Sequence, residues 1–219
     1  MGQQAFASFS GGKDCHFSIF EAKKKGFEIK YLLNMIEEDG QFSRSHHLPA
    51  SLLREQANCL GIDIIQKRTT WDNYENNFKQ TLLDLKQKNI FTGVFGDVDL
   101  EEHRVWIERI SKETGIHPVL PLWGRDHPQI AREIIKSGFV AYLIVVNDKF
   151  LPPEYLGKKF DQKLVDRLIS QGIDPLAEEG EFHTLVTDGP LYTKPLQFTW
   201  RKIIARDGYH FLQVQSKKE

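Results

Sequence analysis

Ser8-Phe9-Ser10-Gly11-Gly12-Lys13-Asp14-Cys15 is the stretch on which the reading of this chain turns. Before it runs an apolar segment, Ala5-Phe6-Ala7-Ser8-Phe9, with the character of a strand. After it, Phe17-Ser18-Ile19-Phe20-Glu21-Ala22 carries a helical pattern that Lys13 and Asp14 open. Paired glycines at a strand-to-helix turn let backbone N–H groups crowd round an anion. The start of the following helix adds free N–H groups and the positive end of its dipole. The stretch therefore reads as a phosphate site. Its spacing is too short for the Gly-x-x-x-x-Gly-Lys-Ser/Thr loop of ordinary nucleotide hydrolases. The plain alternative is a strand-turn-helix whose glycines serve geometry alone.

Outward from this loop, strand and helix alternate. The first helix ends in Lys23-Lys24-Lys25-Gly26, basic residues and a terminal glycine. A buried strand follows over 27–36, then a polar loop over 37–47 that is too long for a tight connection. Next come a helix over 49–60 closed by Gly61, a strand over 62–67 and a helix over 73–88 with Phe78, Leu82 and Leu85 at helical spacing. A fourth strand, 91–95, breaks at Gly96-Asp97. A helix over 101–114 and a fifth strand at Val119-Leu120 complete the series. Crossovers of this length make βαβ units. They predict an α/β fold, an open, mostly parallel five-stranded sheet with helices on both faces. In such sheets ligands bind beyond the carboxyl ends of the strands at the topological switch point. The Gly-Gly loop and Gly96-Asp97 both fall on that edge.

Beyond Trp123 the pattern changes. Gly124-Arg125-Asp126-His127-Pro128 reads as a junction, with Asp126 as N-cap and Pro128 in the first turn of a helix ending at Lys136. A very apolar strand over 139–146, a helix over 161–170 and two β-like runs, 198–205 and 209–214, follow. Arg206-Asp207-Gly208 between the last two is a good hairpin turn. We read residues 1–124 as a nucleotide-binding domain and 125–219 as a smaller α+β lobe that closes over the sheet edge and binds substrate.

Composition bounds the function. The 219 residues can bury a full core, and 29 basic against 30 acidic residues leave no nucleic-acid footprint. No apolar run approaches the ~20 residues that span a membrane, and the N-terminal residues lack the charged and apolar regions of a secretion signal. Cys15 and Cys59 make neither a disulfide framework nor a zinc site. Both read as small buried thiols. The expected compartment is the cytoplasm.

Two further clusters carry chemistry. Asp97, at a strand end beside a phosphate loop, is well placed for Mg²⁺. On the helix behind it, Arg104 and Glu108 are i,i+4 neighbours, whose plain reading is a solvated ion pair. In Glu181-Phe182-His183-Thr184-Leu185-Val186, strand alternation puts Glu181, His183 and Leu185 on one face and Phe182, Thr184 and Val186 on the other. Such a face needs a polar partner, an amine, ammonia or phosphate, unless it is an edge strand facing water. His46-His47 can reach substrate from the long loop or be solvated. Trp71, Trp123 and Trp200 read as packing residues.

Ser10-Gly11-Gly12-Lys13-Asp14 resembles the pyrophosphate loop of the N-type ATP pyrophosphatases, which cleave ATP between the α and β phosphates and adenylate an oxygen. Three more motifs narrow the resemblance: Gly96-Asp97 with His103-Arg104-x-Trp106-x-Glu108, Pro121-Leu122-Trp123, and Gly180-Glu181-Phe182-His183-Thr184 with Asp188-Gly189-Pro190-Leu191. The ordered set, over nearly the whole chain, resembles the diphthine–ammonia ligase family. The chain departs from that family at Glu179, where members usually have a second glycine.

The resemblance implies the adenine nucleotide alpha hydrolase-like (HUP) fold. It also implies ATP-dependent amidation of diphthine on translation elongation factor 2, with ammonium as nitrogen donor and AMP and pyrophosphate as products. Under it, Ser10, Gly11, Gly12 and Lys13 hold the departing pyrophosphate, with Ser8, Asp14 and Gly96 also in the nucleotide site; by fold position alone, Leu33, Asn34 and Met35, at the end of the second strand, meet adenine. Asp14 and Asp97 hold Mg²⁺. Arg104, with Glu108 beside it, stabilises the acyl phosphate. His103, Glu181, His183 and Thr184 face the substrate, with Glu181 and His183 orienting the acyl-adenylate and ammonia. A homodimer is compatible with the reading. Another carboxylate, a tRNA substrate or nucleotide sensing without turnover are the rivals.

Overall fold

The first apolar segment becomes the centre of the molecule. In the computed structural model, which describes residues 2–217, strand β1 (Gln3–Ser8) buries Ala5, Phe6 and Ala7 completely. Burial on both faces is what a central parallel strand requires. The alternation continues through α1 (Lys13–Lys24), β2 (Phe27–Ile36), α2 (Ala50–Leu60), β3 (Asp63–Arg68), α3 (Tyr74–Gln87), β4 (Thr92–Val94), α4 (Glu101–Thr114) and β5 (His117–Val119). All pairings are parallel, in the order β3-β2-β1-β4-β5. The chain order reverses at β1, so the crevice between β1 and β4 is the switch point. α1 and α2 cover one face with Ile19, Leu52 and Leu53, and α3 and α4 cover the other with Phe78, Leu82, Leu85, Ile107 and Ile110.

The second part of the chain adds α5 (His127–Lys136), β6 (Val140–Asn147), α6 (Gln162–Ser170), β7 (Phe182–Asp188), β8 (Phe198–Arg206) and β9 (Tyr209–Ser216). Asp126 and Asp161 cap α5 and α6 by accepting from the N–H groups of Gln129 and Leu164. The four strands form an antiparallel sheet, β7-β6-β9-β8. Asp207 and Gly208 both take positive φ, 54° and 79°, as a two-residue primed turn demands.

The two sheets share their core. Ile144, Val145, Leu185 and Val214 of the second pack in one cluster with Ala5, Leu32 and Leu52 of the first. Phe17 and Val98 join Phe139, Leu143 and Phe182 in another. β7 is an edge strand, yet its edge does not face water. It lies along the glycine loop, where the Val186 N–H donates to the Gly11 carbonyl at 3.1 Å. Among the described residues, no helix is long and apolar enough to cross a membrane.

Candidate active site

The glycine loop is held by partners distant in sequence. Gly11 takes φ +86°, and a Cβ there would stand 2.6 Å from a Leu53 methyl. Its carbonyl accepts from Gln56 Nε2 at 3.1 Å, and the same amide donates to the Val186 carbonyl at 2.6 Å. The Lys13 N–H, in the first turn of α1, donates to Thr184 Oγ1 at 3.0 Å. Asn34 Nδ2 donates to the Phe9 carbonyl at 2.9 Å. Behind the loop, His16 is fully buried with Nδ1 2.7 Å from the Gly12 carbonyl. Burial holds its imidazole near a pKa of about 4, so it stays neutral. β1, β2, α1, α2 and β7 thus fix one turn.

Above this turn lies a cleft of about 310 Å³. Ser8, Ser10, Lys13 and Asp14 form its floor, and Leu33, Asn34 and Met35 its β2 side. Gly96, Asp97 and His103 line the wall after β4, with His183 and Thr184 opposite. The sequence predictions for these residues therefore meet in one place. Gly11 and Gly12 do not line the cleft. Arg104 and Glu108 form a 2.8 Å ion pair on the exposed face of α4, with the guanidinium 5.3 Å from the Trp123 ring; they do not line the cleft. Glu181 precedes β7 and lines a neighbouring cavity, so it shares no cavity wall with His183.

The electrostatics are those of crowded carboxylates round one buried cation. Lys13 is 3% exposed, and its Nζ donates to the Leu176 carbonyl at 2.6 Å and to Asp14 Oδ2 at 2.9 Å. Burial pushes the Asp14 carboxyl up despite that partner. Glu178, which also lines the cleft, is pushed up to about 7 by burial and by the Asp14 carboxylate. Asp97 pairs with His103 Nδ1 at 3.0 Å and raises that imidazole's pKa. Asp14 Oδ1 is buried without a partner. Among the described residues, no three His, Cys, Asp or Glu converge as a metal site. An unpartnered carboxylate oxygen such as Asp14 Oδ1 is the donor that Mg²⁺ takes beside waters and substrate phosphates. Asp14 and Asp97 suit that use.

For two cleft residues the sequence reading left the place open or took it otherwise. His46 comes out of the polar loop to stack on His183, ring centroids 4.4 Å apart. A Cβ on Gly12 would fall 2.5 Å from His46 Cε1, so the glycine makes room for that ring. Burial, and then the charge of Lys13, hold His183 near a pKa of about 4. Burial first, with His183 and Lys13 adding, lowers His46 well below the ordinary value. Both imidazoles are neutral. Trp71, expected to pack, is instead 69% exposed at the mouth of the cleft, with the Arg44 guanidinium 4.3 Å from its ring. Only the adjacent pair His46-His47 in an over-long loop hinted at any of these. Cys15 is a buried thiol as expected, and burial pushes its pKa up.

Comparison with known proteins gives matches across both halves. The diphthamide synthase N-terminal domain family matches residues 3–118, and the diphthamide synthase C-terminal domain family matches residues 126–218. The chain is similar to the human diphthine–ammonia ligase, with 26% identity over 95% of this chain and 87% of that protein. It is 25% identical to the diphthine–ammonia ligase of Schizosaccharomyces pombe over 89% of its length, a match that spans 36% of the yeast protein. A solved structure from Methanocaldococcus jannaschii, described as a predicted subunit of tRNA methyltransferase, superposes with TM-score 0.48 and 18% identity, covering 89% of this chain and 100% of that one.

Proposed function

The chain belongs to the diphthamide synthase family, and from that membership we propose that it is an ATP-dependent ligase that amidates a carboxylate with ammonia. The acceptor we propose is diphthine on elongation factor 2, and the products are the amide, AMP and pyrophosphate. The observation that carries this reading is the shared cleft. The α1 phosphate cradle and the β7 residues His183 and Thr184 open into one space and are joined by the 3.0 Å bond from the Lys13 N–H to Thr184. A nucleotide-sensing protein has no need of the second wall.

In this mechanism an acceptor carboxylate oxygen attacks the α phosphorus of ATP, and the α–β bond breaks. Ser10, Lys13 and the positive end of the α1 dipole receive the departing pyrophosphate. Leu33, Asn34 and Met35 face the adenine, with the exposed Trp71 over the mouth. Asp14 and Asp97 hold Mg²⁺, which when bound supplies charge neutralisation on the phosphates. Ammonia then attacks the acyl carbon, and AMP leaves. The nitrogen sheds a proton in becoming an amide, and the neutral imidazole of His183, stacked on His46, can accept it. Arg104 and Glu108, on the outer face of α4, act at a distance from the bond changes or on the acceptor protein's surface. Residues 1–124 act as the nucleotide domain and 125–219 as the acceptor lobe, in the cytoplasm.

The test is incubation with ATP, Mg²⁺, ammonium and diphthine-bearing elongation factor 2. AMP release that depends on the acceptor supports the ligase. Nucleotide binding with no AMP under any condition overturns it, and AMP formed only with another carboxylate keeps the chemistry and changes the substrate. Asp14→Asn should abolish turnover while the protein still melts cooperatively; an active variant would show that Asp14 holds no metal.

A further inference from the structure

Beyond Glu178 and Leu100, which belong to both walls, the cleft has a neighbour of about 620 Å³. It opens between the starts of α4 and α5, the end of α6 and the 171–181 loop. Its charge is one-sided. Asp99, Glu101, Asp174, Glu178, Glu179 and Glu181 line it, and among the described residues no lysine or arginine does. His127 bridges Asp99 at 3.1 Å and Asp174 at 2.9 Å. Asp174 also accepts from the N–H groups of Leu176 and Glu178, so it is fully used. Glu181 is not. It is 4% exposed, and its Oε2 is buried with no hydrogen-bond partner. A buried carboxylate oxygen without a donor is costly, and a cation bearing N–H groups relieves that cost.

We propose that this cavity is the collection site for ammonium, with Glu181 as its innermost ligand and Glu178 and Leu100 as the partition through which nitrogen reaches the cleft. The proposal rests on the ligase reading above and deepens it. The chemistry of the wall selects the ligand. A metal ion held by protein groups alone, with no substrate phosphate beside it, needs converging ligands, and among the described residues no three do. A quaternary ammonium is recognised by aromatic faces, and here the single benzene ring is Phe150, which is 40% exposed. Spaced carboxylates with one orphaned acceptor suit a small cation that donates several hydrogen bonds. On crossing, ammonium leaves one proton on a cavity carboxylate. The resulting ammonia forms the C–N bond as the acyl C–O bond to AMP breaks, and the second proton, shed by the nitrogen as it becomes an amide, goes to the neutral imidazole of His183, so charge and atoms balance.

Initial-rate kinetics of the full chain test this, with AMP release followed while ammonium, ATP and acceptor are varied in turn. Glu181→Gln, which keeps shape and removes charge, should raise the KM for ammonium about tenfold, leave the KM for ATP within error, and lose less with hydroxylamine, which reacts uncharged. Glu179→Gln, at an exposed position that tolerates change, should raise the ammonium KM by a smaller factor. An unmoved ammonium KM in both variants, with active wild type, overturns the proposal. So does a rise confined to the KM of the acceptor protein, which would give the cavity to a cation on that partner. Inactive wild type would sink the ligase reading separately. The cavity is then judged by titrating ammonium chloride against the ¹³C carboxyl signal of Glu181, where a saturable shift supports it and no shift overturns it.

Discussion

Glu178 shows how a single side chain registers the crowding of the site. Its carboxyl rises from 4.5 to about 7, first through burial and then through the Asp14 carboxylate, with Lys13 opposing. Between those values the folded protein keeps a proton that the unfolded chain releases. The contribution to stability is therefore complete below about pH 4.5 and is lost as pH rises through about 7. In EDTA and without nucleotide, Glu178→Gln should melt above wild type at pH 8 and level with it only near the unfolded value of 4.5 and below. The glutamine carbonyl can still accept from the Val98 N–H, which Glu178 Oε2 now does at 3.3 Å. A variant that melts lower at pH 8 would mean that the carboxylate is stabilised there, contrary to this account. Sequence alone named Asp14, Asp97 and Lys13; Glu178 heads the acidic stretch Glu178-Glu179-Gly180-Glu181 but takes no role from it, because which of those acids is buried beside Asp14 depends on distant packing.

At the level of elements, the joint that matters is β7 against the first turn of α1. Each of its four bonds, from Lys13 to Thr184, from Val186 to Gly11, and from Gln56 to Gly11 and to Val186, links residues far apart in the chain. Thr184 is 2% exposed, so removing its hydroxyl strands a buried N–H. Thr184→Val should cost about 1–3 kcal/mol in urea denaturation and weaken ATP binding in calorimetry, while Thr184→Ser restores both. Equal behaviour of the two variants would show that the methyl group, not the hydroxyl, holds the joint. The helices and hairpin themselves were legible. Asp126 with Pro128, Asp161 before α6, and Asp207-Gly208 are local instructions, and the backbone follows each of them. The joint was not legible, since Thr184 looks the same whether it faces water or an N–H.

For the whole molecule, the shared core sets how it unfolds. Leu185 is fully buried among residues of both sheets. Leu185→Ala should cost about 2–5 kcal/mol and shift a single transition, coincident by circular dichroism and tryptophan fluorescence. Two separated transitions would show that the sheets fold independently. Residues from both parts of the chain, Ser10 and Gly96 on one hand and His183 and Thr184 on the other, line the cleft, so it belongs to the molecule and not to either sheet.

What the sequence by itself determined is what neighbouring residues decide: the strand-helix alternation, the glycine turn at the end of β1, the caps, and the presence of acids and histidines near the carboxyl edge. Those follow from backbone preference and side-chain period, which act over a few residues. The tertiary structure alone decided the partners. It brought His46 onto His183, turned Glu181 into a second cavity away from His183, set Arg104 and Glu108 on an outer face and exposed Trp71 at the cleft mouth. The reason is that burial and charge at each of these positions depend on which distant element packs there, and a one-dimensional pattern carries no record of it.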